Sequence, residues 1–240
     1  MFLMNWQKDG AVAILTMTNG ANKMNLDFAQ ALLAALDEVE ADQEVKALIL
    51  TSDDQKNFSQ GIDTAWLGAR FNAGELEVVK SFLYGMNQIF TRLLLFPLPV
   101  IAAINGHAYG NGAIMSCACD FRFMRADKGF FCFPEVNVGI PFLPGMLAFV
   151  SKAVPQDLLQ EMALTGRALG APELAERRVL VASCADLDDL MTRSLEFAKG
   201  FDKKRGIFGE MKRRFYARQV QVIADEDPKY IEPLNVMVGY

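Results

Sequence analysis

Glu135 stands among Phe133, Pro134, Val136, Val138 and Ile140, an unusual setting for a carboxylate. Burial there would disfavour its charged form and raise its pKa toward the range in which one group both takes and returns a proton. A glutamate projecting from a loop into water is the other reading of the same residues. Two glycine loops, at Gln60-Gly61 and at Asn111-Gly112, offer backbone amides. Aimed at one carbonyl oxygen, a pair of amides stabilises an enolate as negative charge develops on it. Singly, a glycine between strand and helix is most often just a turn. Two such loops and one carboxylate in apolar surroundings together make a candidate site for proton transfer beside a carbonyl.

Other chemistries find little support. His107 is the only histidine, so a Ser-His-Asp arrangement would rest on it alone, and no nucleophile elbow is present. Two residues after Asn105 in a tight loop, it reads as a structural side chain. Neither a phosphate-binding glycine motif with a following lysine nor a dinucleotide fingerprint occurs. Cys117, Cys119, Cys132 and Cys184 lack metal-ligand spacing and read as buried free thiols, which argues against a zinc site.

The elements that must hold these groups are legible in order. Pro99 to Asp120 is the central stretch: Val100 to Ile104 reads as a strand buried on both faces, Asn105-Gly106 breaks it, and Ala113 to Cys119 continues as a buried helix. First-turn amides of such a helix have no intrahelical partner and can hold negative charge. Ala11 to Thr18 and Val45 to Thr51 read as strands, and a helix from about Asp27 to Asp42, capped by Asn25 or Asp27, lies between them. Strand, helix, strand implies a parallel pair. The loop Asn57 to Asp63 leads into a short helix, Thr64 to Arg70, then a longer one from Leu76 to Phe96 that Pro97 and Pro99 end. Phe121 to Arg125 and Gly129 to Phe133 read as short strands. Strand, strand, helix thus recurs about three times over residues 11–133, a spiral in which each turn must stack on the next. Helices follow at Gly145 to Ala153, Gln156 to Leu164, Ala171 to Val179 and Leu187 to Phe201, while Arg178 to Asp186 is loosely patterned.

The 240 residues suffice for one large domain, or a domain with a small appendage. Twelve Met and eighteen Phe point to apolar surface that meets other subunits or an acyl chain, or else to a Met-filled core. A net charge of −5 argues against a nucleic-acid partner. No apolar run approaches a membrane span and no basic-then-apolar leader opens the chain, so a cytoplasmic location is expected. Lys203-Lys204-Arg205 and Lys212-Arg213-Arg214 read either as a solvated face or as contacts to ligand phosphates or a neighbouring subunit.

Phe58-Ser59-Gln60-Gly61-Ile62-Asp63, Pro99 to Gly106 with Gly110-Asn111-Gly112 and Asp120, and Phe133-Pro134-Glu135-Val136-Asn137-Val138-Gly139 together resemble the crotonase, or enoyl-CoA hydratase/isomerase, superfamily. Thr165-Gly166-Arg167 with Ala171 and Glu173 extends the match, which covers roughly residues 10–200. The resemblance implies an α/β, crotonase-like (ClpP/crotonase) spiral of β-β-α units over 1–195, and a helical trimerisation region over 196–240, giving a homotrimer or a dimer of trimers. It also implies an acyl-CoA substrate with no further cofactor. The amides of Gln60 and Asn111 would form the oxyanion hole, Lys23 and Met24 with Gly61, Ile62, Asp63 and Gly110 would bind substrate, and Trp66, Phe82 and Phe142 would wall an acyl tunnel. Of the two glutamates that hydratases of this family carry, one falls on Glu135 and the other on Ile114, which cannot activate water. The chain is therefore most similar to the delta-3,delta-2-enoyl-CoA isomerase branch, with fatty-acid oxidation as setting. Hydration, hydrolysis, dehalogenation and silent acyl-CoA binding are the alternatives. Arg178 replaces a usual glycine, and so does Asn111.

Overall fold

The computed structural model describes residues 3–238. An antiparallel hairpin of β1 (Met4–Asp9) and β2 (Val12–Met17) opens it. β3 (Lys23–Met24) then leads to helix α1 (Leu26–Ala41), where Asn25 accepts from the Phe28 amide as N-cap. β4 (Ala47–Ser52) returns parallel to β2, as the crossover rule requires. The second turn holds β5 (Asn57–Ser59), β6 (Gly61–Ile62), α2 (Thr64–Asn72) and α3 (Leu76–Leu95). The third holds β7 (Val100–Ile104), β8 (His107–Tyr109) and α4 (Asn111–Ala118). The fourth holds β9 (Phe121–Arg125), β10 (Phe131–Cys132) and α5 (Glu135–Val138). The remainder comprises α6 (Pro144–Val150), α7 (Gln156–Thr165), β11 (Ala168–Leu169), α8 (Ala171–Glu176), β12 (Ala182–Cys184), α9 (Leu187–Lys199), α10 (Arg205–Asp225) and α11 (Pro228–Ile231).

The longer strands form a six-stranded sheet, ordered β1-β2-β4-β7-β9-β12, and the short strands form the smaller sheets β11-β10-β8-β5 and β3-β6. This is the crotonase-like spiral. Alternation along β4 explains its uninterrupted apolar sequence: Leu48 and Leu50 join the main core, and Ala47 and Ile49 face a second core closed by Leu190 and Ala198 of α9.

Four differences from the sequence reading have local causes. β1 alternates weakly because most of it is exposed at the sheet edge. β8, β11 and β12 have two or three residues each, too few for a period to register. Residues 129–133 do not pair with β9. Gly129, at φ +95 and lying against Gly106, redirects the chain so that β10 joins β8 in the second sheet. Arg178 adopts φ +60, so the turn after α8 keeps a glycine-like conformation.

The last helices are integral to this body. Lys212 is buried, donating to Leu93 O at 3.0 Å and to Asp120 Oδ2 at 2.7 Å, and Asp120 also accepts from the Val100 amide. Arg205 donates to the carbonyls of Glu40, Asp42 and Val45 at the end of α1. Arg213 and Arg214 instead pair with Glu210 at the surface. The two basic clusters are thus divided between structure and solvent. Lys212→Ala leaves Asp120 buried and unpaired and is expected to lower unfolding free energy by about 3–5 kcal/mol in urea titrations. A loss within about 0.5 kcal/mol, as for an ordinary surface substitution, would show that the pair is not held in the interior.

Candidate active site

β10 delivers the chain to Pro134, which starts the single-turn helix α5 with Glu135 as its first residue. Glu135 is 9 % exposed, which decides between the two sequence readings in favour of burial. Its Oε1 lies 3.3 Å from the position a Cβ on Gly110 would take, so glycine there gives the carboxylate room beside the start of α4. Its Oε2 is buried without a hydrogen-bond partner. Loss of hydration, barely offset by the residue's own backbone amide, pushes the carboxyl up to about 7.

Asn111 is the first residue of α4, with Gly110 at φ +51 as its cap. The first i→i−4 bond runs from the Ile114 amide to Gly110 O at 2.9 Å, so the Asn111 amide has no intrahelical acceptor. At its other end α4 is closed by cations. Arg122 donates to Ser116 O and Cys119 O at 3.2 and 3.0 Å, and Lys152 donates to Cys119 O at 2.7 Å.

The facing loop differs from expectation in one atom. The Gln60 amide donates to Ala21 O at 3.0 Å, so it is engaged, and its side chain bonds Asn57. In the parallel β3-β6 ladder the Asp63 amide donates to Met24 O at 2.9 Å. Because donors alternate along such a ladder, the Ile62 amide faces away from β3. Ile62 and Asn111 both line the cavity that holds Glu135. Gly61 brings the loops together: at φ +76, a Cβ on it would come 2.6 Å from Tyr109 O and 3.1 Å from Asn111 N. The pair of free amides therefore belongs to Ile62 and Asn111.

The other expected residues scatter. Gly110 lines the cavity, whereas Met24 is fully buried in the core and Lys23 is exposed opposite Gly61. Asp63 caps α2 by accepting from the Trp66 amide. Trp66 and Phe82 pack edge to face at 5.3 Å outside the Glu135 cavity, and Phe142 borders a neighbouring one. The apolar wall is Leu83, Leu143, Met146 and Val236 instead, from segments whose sequence gives no hint of convergence. Ile114 is wholly buried in the main core. His107 is structural as expected, its Nδ1 accepting from the Phe130 amide at 3.2 Å. Among the described residues no His, Cys, Asp and Glu cluster suits a metal ion, and no helix is long and apolar enough to cross a membrane.

One carboxylate poised near neutrality and two amides around a small apolar cavity define a site for removing a proton beside a carbonyl. Residues 7–227 match the enoyl-CoA hydratase/isomerase family, and the chain belongs to it. It is 31 % identical over 196 residues to the short-chain-enoyl-CoA hydratase of Clostridium acetobutylicum, covering 80 % of this chain and 72 % of that one. It is 26 % identical over 182 residues to enoyl-CoA delta isomerase 3 of Arabidopsis thaliana, covering 75 % and 76 %. The fold is shared with an enoyl-CoA hydratase from Bacillus halodurans, at TM-score 0.86 and 18 % identity over 96 % of this chain and 92 % of that one.

Glu135 leaves a thermodynamic signature. Its carboxyl binds its proton more tightly folded than unfolded, so its share of stability is fully present below about pH 4.5 and is lost as pH rises through about 7. Glu135→Gln is expected to remove this dependence and to be more stable than the parent by about 3 kcal/mol at pH 8 than at pH 4, read from paired urea titrations. An unchanged difference between parent and variant across that range contradicts the burial.

Proposed function

We propose that the protein is an enoyl-CoA isomerase that moves a double bond from C3 to C2 of an enoyl-CoA. The observation that carries this is the inventory of the cavity: among the described residues Glu135 is its one ionisable lining residue, and the other polar side chains there are Gln60, Thr64 and Asn111. Hydration needs groups to position and deprotonate water, whereas migration of a double bond needs one base used twice. Ionised Glu135 removes a C2 proton, the electron pair moves into the thioester as an enolate, and the Ile62 and Asn111 amides hold the oxygen where charge gathers. The same carboxyl then delivers its proton to C4, and the double bond comes to rest between C2 and C3. A pKa of about 7 suits both halves, because the group gives and takes with equal ease at neutral pH.

In this reading coenzyme A enters as part of the substrate and no other cofactor is required. In this reading Lys23, exposed beside Gly61, meets the CoA portion. The expected setting is fatty-acid oxidation in the cytoplasm. We further propose a homotrimer or a dimer of trimers; Ile207, Met211 and Phe215 form an exposed apolar row on α10 that supports association.

The reading is tested with a 3-enoyl-CoA deuterated at C2. Deuterium recovered at C4 is the expected result, and oxygen taken up from water would replace isomerisation by hydration. Glu135→Gln is expected to lower kcat by about 10²- to 10⁴-fold while the protein stays folded. Since the base must be ionised, kcat/KM for the parent should rise with pH through about 7 and level off above it. A profile flat from pH 5 to 9 rules out Glu135 as the base.

A further inference from the structure

Three consecutive residues near the end of the chain each stand in the wall of a different cavity. Val236 borders the one holding Glu135, about 120 Å³ in volume. Met237 borders a second of about 250 Å³ beside Leu67 and Gly68 of α2. Val238 borders a third of about 420 Å³ beside Leu147 and Leu164. These cavities are neighbours: Val138 and Ile140 belong to the first and second, Glu135 and Pro141 to the first and third. The tail is fastened lightly between them. The Val238 amide donates to Gly139 O at 2.8 Å, the Asn235 amide donates to Tyr230 O at 2.8 Å, and Val236 is buried. Gly139, at φ +67, permits the approach, since a Cβ on it would lie 2.9 Å from Val238 O.

Ile62, Asn111 and Glu135 line the Glu135 cavity together with the apolar side chains of Leu143, Met146 and Val236. A thioester held at the amides therefore puts its acyl chain into a space that Val236 helps to close. The space available is well below the roughly 300–1,000 Å³ of sites that enclose a drug-sized ligand. We infer that residues 236–238 set the length of the acyl chain this site accepts, by partitioning the Glu135 cavity from two larger apolar ones. The inference rests on the acyl-CoA reading above. It assigns short acyl chains to the intact protein, and it makes the tail, rather than the spiral, the element that decides specificity.

The test compares the full chain with a chain ending after Asn235, and with Val236→Ala and Val236→Trp. Calorimetry gives affinities for butyryl-, octanoyl- and dodecanoyl-CoA, and kcat/KM is measured with the matching 3-enoyl thioesters. The full chain is expected to favour the shortest. Shortening it should raise affinity for dodecanoyl-CoA relative to butyryl-CoA by at least about tenfold, the gain from burying roughly two further methylenes. Val236→Trp should weaken octanoyl-CoA at least about tenfold more than butyryl-CoA, and Val236→Ala should shift preference the other way. Thermal melts establish that each variant folds, and if the shortened chain does not, the two point substitutions decide. Identical length profiles in every folded variant overturn the inference and leave the acyl-CoA reading standing. If the full chain binds no acyl-CoA of any length, that reading fails and the inference falls with it.

Discussion

The structure depends on how closely two backbone segments approach one another. Gly61 lies against Tyr109 and Asn111, and Gly112 lies against Ser59, where a Cβ would come within 2.5 Å of the Ser59 carbonyl. Any side chain at either point would push α4 away from the β5-β6 segment and separate the two amides. A hole for one oxygen needs both donors within about 3 Å of it, so the absence of two methyl groups is what makes a carbonyl site geometrically available. The spiral serves this contact. Its stacked turns bring the start of one helix against the short strands of the preceding turn, and the parallel sheet and its two cores keep them there.

In the proposed reaction Glu135 is the reactive group, beside the start of α4, and its environment does the tuning. Among the described residues the cavity lining holds no lysine or arginine, so desolvation acts unopposed by an ion pair. Asp227 offers the contrast. It is fully buried, and burial raises it to about 6, yet its two oxygens accept from the Gly145 amide and the Asn87 side chain. That carboxylate is a fastener between α3, α6 and the α10-α11 junction. Both are buried acids, and the difference between them is that Oε2 of Glu135 has no hydrogen-bond partner.

Much of this was legible beforehand because the long elements carry strong periods. α1, α3, β4, β7 and α9 lie within a residue or two of where apolar spacing puts them, and the glycine loops and Glu135 announce themselves by composition. What escaped was set by tertiary contact. Strands of two or three residues have no period, and the pairing of β10 with β8 depends on a glycine packed against another glycine far away in sequence. The choice between Gln60 and Ile62 as donor turns on strand register, which no single-residue property encodes. Convergence of Leu83, Met146 and Val236 on one cavity is likewise a property of the assembled chain. The basic clusters misled for the opposite reason: Lys212 resembles its neighbours in sequence yet is buried on Asp120.

The cations at the far end of α4 bear on its near end. An eight-residue helix is about 12 Å long, and its peptide units leave roughly half a positive charge at one pole and half a negative charge at the other. Lys152 and Arg122 neutralise the negative pole, so from the cavity α4 acts as an unopposed positive pole, installed by the fold and independent of any ion drawn from solvent. That installation has an alkaline limit, because burial lowers Lys152 to about 8. Above that value Lys152 loses its charge, Arg122 alone offsets the negative pole, and the positive end of α4 weakens.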